Sequence, residues 1–269
     1  MLIRTWNVFH GNTSPPRRRA FPAHAVRLAV QDDPDIVCLQ EVPAWSLPRL
    51  ADWSGYEAVP VVAQPPTLGP LPSTTRIGRA ITSLHPGLLR SAFSGQGNAI
   101  LVSPRLAVRD RHVYVLNPRS FRRAQTEWLG VGSLAQLAWA KERRVCQAVR
   151  VWDGSRTFLV ANLHATSYPP EQRLPDAELL RAFRYVEGLA QPGEPVAVAG
   201  DFNVSFARSR TLLDVTREGW GPSGIAPGID HILVRDFVVV SGPTAWPLEQ
   251  RELGDAVLSD HAPVDLVVE

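Results

Sequence analysis

Short apolar runs recur along the chain, and five of them end in a polar residue able to bind a metal or move a proton. They close on Trp6-Asn7, Gln40-Glu41, Asn162-Leu163-His164, Gly200-Asp201-Phe202-Asn203 and Asp230-His231, and a sixth motif, Ser259-Asp260-His261, precedes an apolar run instead. Runs of this length and composition predict buried strands. Residues 22–31 place apolar positions at helical spacing and stop before Asp32-Asp33-Pro34, which gives strand, helix, strand over the first forty or so residues. Residues 145–151 and 157–164 flank Asp153-Gly154, a strong hairpin signal that implies antiparallel pairing. Residues 171–190 space Leu174, Ala177, Leu180, Ala182, Phe183, Val186 and Leu189 around a helix, between Pro169-Pro170 and Pro192-Gly193. Late strands are expected at 229–234, 236–241 and 263–268. Residues 60–97, rich in Pro, Gly, Ser and Thr, read as a long loop on the rim of the site, and 103–140 offer no landmark. The expected fold is α/β (α+β), a mixed, strand-rich two-sheet core with helices outside.

Length changes this picture little. A chain of 269 residues is compatible with a single domain over 1–269 that buries roughly three quarters of its surface. No apolar stretch reaches the roughly twenty residues that cross a bilayer, and strand-like sequence starts within the first residues, so no signal peptide is expected. Cys38 and Cys146 both sit in strand-like runs and read as packed thiols, which fits a reducing, cytoplasmic setting. A monomer is expected. The net charge of +2 does not announce a nucleic-acid binder, but local clusters stand out at Arg17-Arg18-Arg19, Arg119 with Arg122-Arg123, Arg143-Arg144, and Arg208 with Arg210. Lys141 is the only lysine, so the positive charge is almost all guanidinium, which suits bidentate phosphate contacts as well as a solvated surface.

The polar strand ends carry the chemistry. Strand alternation would send Asp201 and Asn203 to one side and Phe202 to the other, where Asp can take a proton from water while Asn holds that water or a phosphate oxygen. The same motif also reads as a strand closing in an Asx turn. Asn162 and His164 share a face, and a lone His there also reads as a structural residue. Glu41 ends an apolar strand where a carboxylate must be hydrogen-bonded, paired or bound to a cation, and Asn7 ends the first strand in the same manner. Glu, Asn and Asp without Cys-rich or His-rich spacing favour Mg²⁺ or Mn²⁺, held partly by water, over Zn²⁺. Asp260-His261 puts a carboxylate next to an imidazole. Asp230 could bond that imidazole and favour its charged form, suited to charge on a pentacoordinate phosphorus.

In order and content, these motifs, with Ala262-Pro263-Val264 after His261, resemble the successive signatures of the endonuclease/exonuclease/phosphatase superfamily, the DNase I-like fold. The resemblance spans residues 2–268 and implies a four-layer sandwich, with two mixed, mainly antiparallel sheets face to face between the helices. It implies Glu41 as principal metal ligand, with Asn7 and Asp260 near the same ion or a second one. Asp201 would orient and deprotonate the attacking water with Asn203 assisting, His261 would contact the scissile phosphate under the orientation of Asp230, and His164 would contact it from the other side. Lys141, Arg143 and Arg144 match loosely the basic phosphate-contacting residues of some members. Abasic-site endonucleases generally carry Tyr-x-Pro-Asn where this chain has Asn162-Leu163-His164, which disfavours an abasic-site repair role. The expectation is therefore a Mg²⁺-dependent phosphodiesterase with a phosphate-ester substrate, a nucleic acid first. A phosphomonoesterase or lipid phosphoesterase is the alternative within enzymes. A catalytically inactive binding module is a third reading, and the complete residue set argues against it.

Overall fold

Apolar residues run without a break through 36–39 because both faces of that strand are covered. Ile36 and Cys38 join a core between two sheets, while Val37 and Leu39 join a second core against helices. The computed structural model describes residues 1–17, 20–68, 71–74, 76–77, 93–221 and 228–269. Its principal strands are β1 (Leu2–Asn7), β2 (Ile36–Pro43), β3 (Glu57–Gln64), β4 (Gln96–Val102), β5 (Ala107–Val115), β6 (Val145–Trp152), β7 (Thr157–His164), β8 (Val196–Asp201), β9 (Asp230–Arg235), β10 (Val239–Ala245) and β11 (Val264–Val268). They form a six-stranded sheet in the order β10-β11-β1-β2-β4-β3 and a five-stranded sheet in the order β9-β8-β7-β6-β5.

Each sheet contains one parallel pair, β1 with β2 and β7 with β8, and its other neighbours are antiparallel. A parallel pair needs a crossover, which here is helical: α1 (Pro22–Ala29) links β1 to β2, and α5 (Arg173–Leu189) links β7 to β8. The helices α2 (Leu50–Ser54), α3 (Arg119–Leu129), α4 (Ser133–Lys141) and α6 (Arg210–Arg217) complete the set among the described residues. Ile3, Ile36 and Leu266 of the larger sheet pack against Val149, Phe158 and Ile232 of the smaller one. Trp6 and Leu39 pack outward with Val26 of α1 and Leu50 of α2, and Leu163 and Val198 with Phe183 of α5 and Leu212 of α6. The result is the four-layer sandwich, helices outside two sheets. Cys38 lies in the inter-sheet core and Cys146 in the core under α5, both as buried free thiols, so burial pushes the Cys146 pKa up to about 12.

Several expectations need correction. Residues 60–97 are not all loop, since β3 runs to Gln64, residues 67–68 and 71–72 form a short hairpin, and β4 starts at Gln96; 78–92, like Arg18 and Arg19, lie outside the described residues. Residues 103–140 hold β5, α3 and α4. They gave no signal because β5 is an edge strand with no fully buried residue and α3, although amphipathic, is mostly polar and buries none of its eleven. On α5 the buried stripe uses Leu179, and Leu180 is exposed. The second late strand starts at Val239, three residues after 236, because Asp236 turns the chain with a φ of 60°.

Candidate active site

The two parallel pairs end at the same edge of the sandwich. Pairing register sets Asn7 beside Gln40 in the larger sheet; in the smaller one it sets His164 beside Asp201 and Asp201 beside Asp230. The rows meet across the core: the Asn7 amide donates to Asp201 Oδ2 at 2.9 Å and the Gln40 amide donates to Asn162 Oδ1 at 2.8 Å. Asn162 donates in turn to the carbonyls of Leu39 and Ala99. Gly200 makes the close approach of β7 and β8 possible, since at its φ of 147° a Cβ would lie 1.9 Å from the Leu163 carbonyl oxygen.

Asp201 is the centre. Its side chain is buried, Oδ1 accepts the Asn203 backbone N–H at 3.0 Å, and Oδ2 lies 3.5 Å from His164 Nε2 and 3.8 Å from His261 Nε2. The other ring nitrogen of His261, Nδ1, sits 2.7 Å from Asp230 Oδ2, so one imidazole stands between two carboxylates. Asn203 departs from the alternation expected of it. β8 ends at Asp201, and Asn203 takes a φ of 53° that lets its backbone bond Asp201 while its amide donates to the Ala165 carbonyl at 2.9 Å. Its backbone N–H closes an Asx turn on Asp201. Phe202 does point the other way, into the core under α5.

Glu41 reaches the site through a bulge. The β2–β4 register shifts between Leu39 and Val42, Glu41 has a φ of 52°, and the strand continues to Pro43. Plain alternation would put Glu41 on the helix side with Val37 and Leu39, and the bulge re-aims it. Its carboxylate stands 3.4 Å from His10 Nε2 and 3.8 Å from His164 Nε2. His10 went unnoticed in the sequence. It lies in a turn where Phe9, His10 and Gly11 all have positive φ, which no hydrophobic period marks; its position three residues past Asn7 was the only available clue.

The three basic residues behave differently from one another. Arg144 is buried, donates to His164 Nδ1 at 3.0 Å and pairs with Glu142 at 2.8 Å. Arg143 donates to the carbonyls of Val62 and Ala63 and so fastens β3, while Lys141 is exposed at the end of α4, 3.8 Å from Glu142. Asp260 is exposed, with Oδ1 3.5 Å from the Ser259 hydroxyl.

Charge follows from these neighbours. Burial alone would lower the His261 pKa, but the Asp230 hydrogen bond and the charges of Asp230, Asp201 and Asp260 push it up to about 10. Burial first, then the Asp230 charge, pushes Asp201 up to about 7. Burial and the Arg144 charge hold His164 well below the usual histidine range. An imidazole whose Nδ1 faces a guanidinium is neutral and carries its proton on Nε2, so His164 presents an N–H towards Asp201 and Glu41. Three carboxylates, Glu41, Asp201 and Asp230, thus share a site with one cationic ring. The gathered carboxylates, and the oxygens of Glu41 and Asn7, fit a hard divalent cation. The Asn7 oxygen accepts the Phe9 N–H and keeps a second lone pair. Among the described residues, ligand atoms of Asp201, Asp230 and His261 also lie within 4.8 Å of one another, a grouping a cation could use only by displacing the His261 proton.

Solved structures share the fold across this whole chain. An endonuclease/exonuclease/phosphatase from Beutenbergia cavernae DSM 12333 is 17% identical with a TM-score of 0.66, covering 99% of this chain and 70% of that one. The mannosyl-6-phosphatase Bt3783 of Bacteroides thetaiotaomicron VPI-5482 is 16% identical with a TM-score of 0.62, covering 100% and 99%. A humanized D. rerio TDP2 with 14 mutations is 15% identical with a TM-score of 0.60, covering 100% and 98%. No curated protein sequence matches significantly. The model of the Endonuclease/Exonuclease/phosphatase family matches residues 5–261, and the chain belongs to that family.

Proposed function

We propose that this phosphoesterase-family chain is a divalent-metal-dependent phosphodiesterase that cuts nucleic-acid phosphodiester bonds by in-line attack of water. The observation that carries the reading is the Asp201 carboxylate, buried, held at one oxygen by Asn7 and at the other by the Asn203 backbone, with two imidazole N–H groups facing it. Held so, Asp201 takes the proton of the attacking water. His261, kept cationic by Asp230, places positive charge where the phosphoryl oxygens gain negative charge, and neutral His164 donates its Nε2–H from the other side. A divalent ion held by Glu41 and Asn7, with Asp260 at the outer edge, would neutralise phosphoryl charge. The nucleic-acid choice rests on Arg119, Arg122 and Arg123 of α3, which lie beyond the end of the smaller sheet that carries His164. The Mg²⁺ choice rests on an oxygen donor set, and a cytoplasmic setting on the unpaired buried thiols. No helix among the described residues is long and apolar enough to cross a membrane.

The test is a panel of purified substrates with Mg²⁺: single-stranded and duplex oligonucleotides, a simple phosphodiester, sugar phosphates and phospholipid vesicles. Oligonucleotide cleavage with product sizing is the expected result. Turnover of sugar phosphates or lipids with intact oligonucleotides would overturn the nucleic-acid reading, and no turnover of any ester would return the binding-module alternative.

The pH dependence follows from two groups. Asp201 acts as a base only when ionised, so activity should rise with pH through a value at or below about 7, lower when a cation is bound. His261 acts only when protonated, so activity should fall as pH rises through about 10. Asp230→Asn removes the carboxylate that supports the imidazolium, and the alkaline limb should move to lower pH while Mg²⁺ affinity changes little. pH–rate profiles of both proteins at saturating Mg²⁺ check this, and superimposable alkaline limbs would show that Asp230 does not tune His261.

A further inference from the structure

The arginines of α3 form a cluster that the site does not use. Arg119, Arg122 and Arg123 sit one turn apart at the start of the helix, where i, i+3 and i+4 positions are neighbours. Arg119 and Arg123 are exposed, and burial first, then the Glu178 and Arg119 charges, act on Arg122, whose pKa is lowered. Among the described residues no carboxylate lies within 4.0 Å of any of these three guanidinium groups, although Glu127 lines the same groove. Three like charges held together, none of them in an ion pair with another described residue, repel one another, and an anion relieves that repulsion. The three line a groove of about 540 Å³ between α3 and α4, with Ser133 and Gln136 on its far wall.

The groove is tied to the site. The α3–α4 hairpin is inserted between the end of β5 and the start of β6, and antiparallel pairing of β5 with β6 and β6 with β7 puts that insertion at the end of the sheet where His164 lies. Arg122 donates to the Asn117 carbonyl at 2.6 Å, the Asn117 side chain accepts the Arg144 N–H at 2.8 Å, and Arg144 donates to His164. Trp139 of α4 donates to Glu178 at 2.6 Å, and Glu178 accepts both the N–H and the hydroxyl of Thr166, two residues past His164. The groove is therefore braced against the catalytic row at two points.

We propose that the Arg119–Arg122–Arg123 groove is a subsite for a second phosphate of the substrate, one that is not cut, and that it thereby selects substrates carrying several phosphates. This rests on the phosphodiesterase reading above, under which the second phosphate belongs to the next part of a nucleic-acid strand. Planar guanidinium groups bind phosphate oxygens in pairs, and each contact made to a strand releases counterions.

The test compares Arg119→Ala/Arg123→Ala with its parent, both in the Asp201→Asn background with Mg²⁺, by fluorescence anisotropy of a short labelled single-stranded oligodeoxynucleotide. Arg122 is left in place because it braces Asn117, and thermal melting confirms that the pair of exposed substitutions leaves the fold intact. The dissociation constant should rise about tenfold or more, the loss of charge-assisted bonds, and the slope of log K against log salt should shrink by about 0.7 for each strand contact removed. Equal affinity and equal slope in the two proteins, or no binding by the parent to any probe, overturns the subsite. Inositol hexakisphosphate is a second probe: arginine-dependent binding of it without oligonucleotide binding keeps the subsite and assigns it to small polyphosphates. Hydrolysis by the Asp201-containing protein is read separately, so arginine-dependent binding without strand cleavage refutes the nuclease reading alone.

Discussion

Asp201→Asn should lower turnover by roughly a hundredfold to ten-thousandfold, the usual worth of a positioned base. The substitution is nearly isosteric, but its single amide oxygen can keep only one of the two bonds that Asp201 accepts at separate oxygens from Asn7 and the Asn203 backbone, so the fold should persist with some loss of stability. A second readout separates the loss of a base from a loss of structure. Burial and Asp230 raise the Asp201 pKa from 3.8 to about 7, so between these values the folded protein binds more protons than the unfolded one. Stability from that group is present at low pH and is lost as pH rises through about 7. Metal-free wild-type protein should therefore melt at progressively lower temperature over this range, and the Asn variant should show a flatter dependence. Near wild-type turnover by the variant on a verified substrate would reject Asp201 as the base.

Glu41→Gln should uncouple the protein from its cation. If the ion binds the folded state at this carboxylate, saturating Mg²⁺ raises the melting temperature of the wild type, by linkage worth about 2.7 kcal/mol at a hundredfold excess over Kd. The variant should lose most of that shift and most of its activity together. Gln keeps the length of the side chain and can still meet His10, so the comparison isolates the charge. Activity of the wild-type protein that survives exhaustive chelation would sink the metal assignment. An undiminished thermal shift in the variant would move the ion away from Glu41, towards the Asp201, Asp230 and His261 grouping.

Strand ends made much of this site visible before any fold was known. Apolar runs have few places to hide a carboxylate or an imidazole, so Glu41, His164, Asp201 and Asp230 stood out as residues needing a partner. The hairpin at Asp153-Gly154 and the helix before β8 were equally legible, because turn chemistry and a period of 3.6 act over a few residues. The same local logic failed for β5, an edge strand with no fully buried residue, and for α3, a mostly polar helix that buries none of its residues. It also missed that β8 ends at Asp201, after which a positive φ at Asn203 breaks the alternation and lets the Asn203 backbone bond Asp201.

By itself, then, the sequence determined which residue types would stand at the ends of buried strands, and that these strands belong to a layered α/β sandwich, since both are consequences of local patterning. Tertiary structure decided everything that depends on distance across the core. The bulge that turns Glu41 inward needs β4 as a partner, and His10 joins Glu41 only through a left-handed turn. Arg144, which sequence offered as a phosphate contact, is buried and donates to His164, while Asp230 bonds the ring of His261. Burial and the Arg144 charge hold one histidine well below the usual range, while at the other the Asp230 bond and the nearby carboxylates outweigh burial, and a residue's neighbours in space are set by the pairing of strands far apart in the chain.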